Sequence, residues 1–232
     1  MAEAIQQATV TSVRDMTPHV REIVLSPLER RIGYQPGQWI SIKVPMDQKP
    51  PLNRAYSMAE PEELSGRLPL VFDRVPSGIG SEYLYSLNVG DRLSFSGPHG
   101  KFLLPQQREK GLLLIGRYTG MVPIRCMVRA LMSAELTTPF TVISIAPSEG
   151  ELLYQEEFTA LASTHTDMRY VPIVASHELE VERVMDSISQ YVRDCRDVVP
   201  MICGIKQFVR PLRGFFMERG FDRRDVKIET YD

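Results

Sequence analysis

Arg54-Ala55-Tyr56-Ser57 brings three kinds of chemistry into four residues. The Arg54 guanidinium offers a fork of donors to a phosphate. Tyr56 offers a flat face to a conjugated ring, and the Ser57 hydroxyl can bond a ring nitrogen. Successive side chains alternate in an extended chain, so Arg54 and Tyr56 share one face and Ala55 and Ser57 the other. Further on stands Ser77-Gly78-Ile79-Gly80-Ser81. Glycines let a backbone approach an anion, and a helix N-terminus adds positive potential. The helix is expected over Glu82–Leu87, with Ser81 as its N-cap or as a phosphate ligand. Each segment by itself also fits a bland reading: a strand carrying a surface arginine, or a capped loop.

The elements that must position these residues fall into two halves. Short alternating or β-branched runs occur at Thr9–Val13, Val20–Leu25, Trp39–Val44, Leu68–Val75 and Arg92–Ser96. Turn signals separate them at Gln35-Pro36-Gly37, Gly90-Asp91 and Gly97-Pro98. Regular short strands of this kind predict a small antiparallel barrel. After the polar stretch Gln106–Lys110 the rhythm changes. Strands are expected at Leu112–Ile115, Phe140–Ala146, Arg169–Val174, Val198–Cys203 and Val226–Glu229, and helices at Pro123–Ala134, Gln155–Ala162, Glu182–Tyr191 and Phe208–Arg219. That alternation predicts a five-stranded parallel, Rossmann-like sheet with helices on both faces. Ligands of such sheets lie beyond the carboxyl ends of the strands. A last helix beginning at Phe208 keeps Pro211 in the first turn, where a missing N–H is tolerated, and Gly220 stops it. The domains expected are 1–107 and 108–232.

Composition narrows the function. The chain has 232 residues, a net charge of −2, 43% hydrophobic and 24% charged residues. There is no basic excess to attract nucleic acid or an anionic membrane. MAEAIQQATV lacks the basic and apolar regions of a signal peptide, and apolar runs such as Leu112–Ile115 fall far short of the ~18 residues of a membrane span. A cytoplasmic protein is expected. Cys126, Cys195 and Cys203 form no C-x-x-C pair, which argues against disulfide, zinc or iron–sulfur frameworks, so no metal site is expected. Any electrons must then travel on an organic cofactor.

Taken in order, Pro36-Gly37-Gln38, Arg54–Ser57, Gly78–Ser81, Val89-Gly90-Asp91 and Gly97–Phe102 (Gly-Pro-x-Gly-x-Phe) resemble the ferredoxin–NADP reductase superfamily, including oxygenase reductases and cytochrome b5 reductase-like modules. The resemblance runs from Thr9 to Tyr231. It implies an N-terminal flavin-binding barrel and a C-terminal nucleotide-binding α/β domain. It also implies non-covalent FAD, with FMN as the lesser alternative, and NADH or NADPH as electron donor. By the same resemblance Arg54 binds the flavin pyrophosphate, Tyr56 stacks on the isoalloxazine beside Ala55, and Ser57 lies near N5. Gly78, Ile79, Gly80 and Ser81 hold phosphate, and Thr119 and Gly120 belong to the nicotinamide loop. Cys203 lies near nicotinamide C4, and Glu229 and Tyr231 close the chain beside the flavin. Ser57, Cys203 and Glu229 are the implied catalytic residues.

The nicotinamide half departs from the family pattern. Arg117 and Tyr118 stand where two glycines belong, before Thr119, Gly120 and Pro123. They close the approach to a pyrophosphate, or Arg117 pairs with the phosphates, or both face solvent; spacing does not choose. Ser144-Ile145-Ala146-Pro147 replaces a Tyr-Gly-x-Arg, and Ala175-Ser176-His177 stands where NADPH users often carry Ser-Arg. NADH is therefore expected to serve at least as well as NADPH, and His177 reads as an exposed loop histidine. The function expected is a flavin-dependent oxidoreductase carrying electrons from NAD(P)H through FAD to an acceptor, a protein partner. The alternative is a flavoprotein electron-transfer subunit that uses no nicotinamide directly.

Overall fold

The computed structural model describes residues 4–47, 49–62, 66–106, 110–134, 138–178, 180–190 and 197–231. Tyr191, Cys195 and the stretch Gln107–Glu109, all named above, lie outside the described residues. The chain divides into two units, Met1–Leu104 with Arg125–Ser133, and Pro105–Ile124 with Ala134–Asp232. This division differs from the expected one in two ways. The break falls ahead of residue 107, and a helical segment from beyond it clusters with the first unit. The physical reason is packing: Cys126 is buried in the first unit's core, and Arg125 Nη1 donates to the Ala59 carbonyl at 3.0 Å.

The first unit is a six-stranded antiparallel sheet. Its strands are β1 (Ile5–Thr17), β2 (Val20–Pro27), β3 (Trp39–Val44), β4 (Leu52–Ser57), β5 (Leu68–Asp73) and β6 (Arg92–His99), in the order β4-β3-β6-β1-β2-β5. The outer strands meet through the Met58–Leu70 bridge and a bond from Ala59 N–H to Pro69 O of 2.9 Å, so the sheet curls back on itself as a barrel. Val10, Ile23, Ile40, Ile42, Leu70 and Phe95 fill its interior. Helix α1 (Ile79–Ser86) follows β5. It begins three residues before the expected Glu82.

The second unit holds β7 (Gly111–Arg117), β8 (Phe140–Ala146), β9 (Met168–Val174), β10 (Val198–Ile205) and β11 (Lys227–Tyr231), all parallel, in the order β11-β10-β7-β8-β9. The connecting helices are α2 (Met121–Ser133), α3 (Gln155–Thr164), α4 (Glu180–Ser189) and α5 (Lys206–Glu218). The order reverses between β7 and β10, which makes their carboxyl ends the place for a ligand. Helix α5 starts two residues before the expected Phe208, so Pro211 is its sixth residue and not part of the first turn. The bond that an N–H at 211 would make to the Gln207 carbonyl is absent. Burial of Phe208, Val209, Leu212, Phe215 and Phe216 on one face holds the helix despite that loss. Gly220, at φ +85°, ends it as expected. Among the described residues no helix is long and apolar enough to cross a membrane.

Candidate functional site

In the first unit, β4 pairs with β3 so that Arg54 lies opposite Ile42 and Tyr56 opposite Ile40. Both partners face the core, which puts Arg54 and Tyr56 on the same face, as alternation requires. Their side chains meet the first turn of α1. A Cβ added to Gly80 would sit 2.7 Å from Arg54 Cγ and 3.2 Å from the Tyr56 hydroxyl, so only glycine admits this approach. Gly78 is closed in the same way by Val75 and the Ser81 hydroxyl.

Gly78 is the N-cap of α1, and no side chain caps the helix. Ser81 is therefore not the cap. Its buried hydroxyl accepts from the Val75 N–H at 3.1 Å and lies the same distance from the Val75 and Gly78 carbonyls. It braces the loop from inside. The amides of the first turn, at Ile79, Gly80 and Ser81, have no intrahelical acceptors by helix geometry. Arg54 is exposed, donates at 2.9 Å to the Asn53 carbonyl, and has no ion-pair partner among the described residues. An uncapped helix start beside an arginine with no ion-pair partner among the described residues has the donors and the positive charge that a pyrophosphate such as that of FAD needs.

Tyr56 is half-buried, with its ring edge-on to Phe72 at 5.8 Å. Burial pushes its hydroxyl up to about 12, so the ring stays neutral through the working range. Ala55 is exposed and Ser57 is buried, opposite Trp39.

In the second unit, Tyr118, Thr119 and Gly120 form a single tight turn after β7. A Cβ on Gly120 would run into the Cys203 carbonyl, so this loop lies directly against the end of β10. Glu229 stands beside Cys203 in the β10–β11 register. Cys203 is fully buried, and burial pushes its thiol well above the usual range despite a hydrogen bond from the Tyr231 hydroxyl. It is a neutral thiol, not a nucleophile. Desolvation also raises the Glu229 carboxyl, to about 7.

Arg117 follows none of the simple alternatives. Its side chain is 14% exposed, and its Nε donates to both oxygens of Glu180, at 2.7 and 2.8 Å. Glu180 is 1% exposed. The guanidinium is thus neither turned to solvent nor available as a simple phosphate ligand. Nothing in the local sequence signalled Glu180, which comes from a helix start 63 positions away. Tyr118 takes φ +52°, a backbone region that glycine enters freely and tyrosine only at a cost. A surface cleft of about 420 Å³ lined by Lys110, Val199, Arg224 and Lys227 lies at the amino ends of the parallel strands, away from these residues.

Residues 7–103 match the family described as Oxidoreductase FAD-binding domain, and residues 114–213 match Oxidoreductase NAD-binding domain. Ferredoxin–NADP reductase B of Sorangium cellulosum (strain So ce56) is 30% identical, over 97% of this chain and 97% of that protein. The chain belongs to the ferredoxin–NADP reductase family. This reductase is a flavin-dependent oxidoreductase that uses FAD and takes electrons from NAD(P)H. The fold agrees: ferredoxin–NADP+ reductase from Plasmodium falciparum superposes with a TM-score of 0.84 at 17% identity, covering 100% of this chain and 98% of that one. A cytochrome P450 reductase from Amycolatopsis gives 0.85 at 23%, covering 98% and 69%. Phenol hydroxylase P5 protein of Acinetobacter pittii is 24% identical over 97% of this reductase, which spans 65% of its length.

Proposed function

We propose that this reductase passes electrons from NADH, in preference to NADPH, to a separate protein acceptor such as a ferredoxin or an oxygenase component. Relatives named as a phenol hydroxylase P5 protein and a toluate 1,2-dioxygenase electron transfer component support a protein acceptor. The setting proposed is the cytoplasm, in keeping with the buried free thiols Cys126 and Cys203.

The observation that carries the flavin side is the contact of Arg54 and Tyr56 with Gly80 at the uncapped start of α1. Arg54 and the amides of Ile79, Gly80 and Ser81 would hold the pyrophosphate, with Gly78, its own amide bonded to the Val75 carbonyl, turning the loop into the helix. Tyr56, set by Phe72, would lie against the isoalloxazine beside Ala55 and Ser57. On the nicotinamide side, Thr119 and Gly120 would seat the ring against the end of β10. Cys203 would shape that seat as a neutral thiol, Tyr231 would cover it, and Glu229 would hold a proton near neutral pH. Bound FAD supplies the redox chemistry between a two-electron nicotinamide donor and the acceptor.

The test is anaerobic mixing of the purified yellow protein with NADH. Rapid bleaching is expected, and Arg54→Ala should weaken FAD retention by at least about tenfold, the worth of one charge-assisted contact. A protein that binds neither FAD nor FMN would overturn the reading.

A further inference from the structure

Three cations meet in the cleft at the amino ends of the parallel strands, the end opposite the one where a dinucleotide lies. Lys110 leads into β7, Lys227 opens β11, and Arg224 stands in the loop before β11. The cleft, about 420 Å³, has the volume of a small-molecule site, for which ~300–1,000 Å³ is usual. Its walls are held by bonds of their own. The Gly111 N–H donates to the Asp197 carbonyl at 3.0 Å, which fixes Lys110 beside the start of β10. In the loop, the Asp222 carboxylate accepts from the Arg224 N–H at 2.9 Å, and its carbonyl accepts from the Asp225 N–H at 3.0 Å. Arg213 Nη2 clamps the same loop through the Arg223 carbonyl at 2.8 Å.

Lys110 and Lys227 are half-buried, and neither has an ion-pair partner among the described residues. Arg224 meets Asp222 only at 3.9 Å, with its side chain 93% exposed. Asp225 is the one carboxylate among the described lining residues, so the lining carries two positive charges in excess. Like charges held together repel, and an anion among them removes the repulsion while gaining a charge-assisted bond from each. Two charges in excess match a diphosphate better than a single carboxylate. Lysine serves phosphate as a point charge and arginine as a fork of donors. The lining offers no aromatic ring for a base to stack on, which leaves the phosphates as the recognised part. The seven residues of β7, at ~3.3 Å each, put the cleft about 20 Å from the turn at Tyr118. A ligand here therefore touches no reacting atom.

We propose that this cleft is a second anion site, separate from the donor site, that binds a diphosphate group, either free or as part of a nucleoside diphosphate.

The experiment is isothermal titration of the FAD-loaded reductase with inorganic pyrophosphate in one arm and ADP in the other. Binding is expected, and Lys110→Ala combined with Lys227→Ala should weaken it by at least about tenfold, the worth of one charge-assisted contact. Tighter binding of pyrophosphate supports the free anion as the ligand, and tighter binding of ADP supports the nucleotide. If the lysine variant fails to fold, the exposed Arg224→Ala decides the matter and should weaken binding severalfold. Binding of neither probe overturns the site. Binding that survives these substitutions belongs to the donor site and overturns it too. The kcat/KM for NADH should be the same in wild type and variants; a fall in step with the loss of diphosphate binding would put the cleft on the donor's path and overturn its separateness.

Discussion

Replacing Arg117 with methionine should be among the more damaging single changes in the second unit. Glu180 is 1% exposed and takes its two shortest bonds, 2.7 and 2.8 Å, from Arg117 Nε. Deleting one partner of a buried ion pair leaves an uncompensated charge and costs about 3–5 kcal/mol. His177 Nδ1, 3.0 Å from Glu180 Oε1, keeps one contact with the carboxylate. The loss is therefore set at about 3 kcal/mol, the low end of that range. Urea unfolding measures it. Arg117→Met combined with Glu180→Leu should recover most of the loss, because an apolar pair of similar volume is close to neutral in place of a buried ion pair. Tyr118→Gly behaves oppositely. It relieves a residue at φ +52° and should leave stability within about 1 kcal/mol of the wild type. Any steric hindrance that residue 118 imposes on NADH is therefore best read from Tyr118→Gly alone, since a variant that also removes Arg117 mixes in the orphaned carboxylate. An Arg117→Met variant as stable as the wild type, or a double variant no better than the single, would refute the reasoning.

Gly80→Ala should lower FAD affinity, measured by flavin release, by about tenfold or more while leaving the unfolding midpoint near that of the wild type; the added methyl meets Arg54 Cγ at 2.7 Å, and alanine's helix preference of ~1 kcal/mol offsets the strain. Undiminished flavin retention would place the phosphate elsewhere. Glu229→Gln should stabilise the protein above neutral pH and not at pH 4. With the carboxyl raised to about 7, the native state binds more protons than the unfolded state, so wild-type stability falls as pH rises from the ordinary 4.5 toward 7. The shift corresponds to about 3 kcal/mol, which partial exposure trims to roughly 2. Parallel stability curves for the two proteins across that range would reject the raised carboxyl.

The two-part fold was legible because it is written in local periodicity. Short punctuated strands and then alternating apolar runs and amphipathic stretches need no knowledge of distant neighbours. Strand β4 was the weak point: among its six residues only Leu52 and Tyr56 are large and apolar, so it was recognised by its chemistry and not by its pattern. The start of α1 was misjudged because Ser81 suits an N-cap by type, yet the close approach of Arg54 and Tyr56 to Gly80 lets the helix begin earlier. The start of α5 was misjudged because a proline rule outweighed an apolar face that only the packed sheet reveals. The assignment of Arg125–Ser133 to the first unit and the capture of Arg117 by Glu180 are facts of tertiary structure. Each depends on a partner more than sixty residues away, and the sequence offers three equally good roles for Arg117 until that partner is known. Backbone pattern is local and sequence carries it; the state of a charged side chain depends on what burial places beside it, and only the fold decides that.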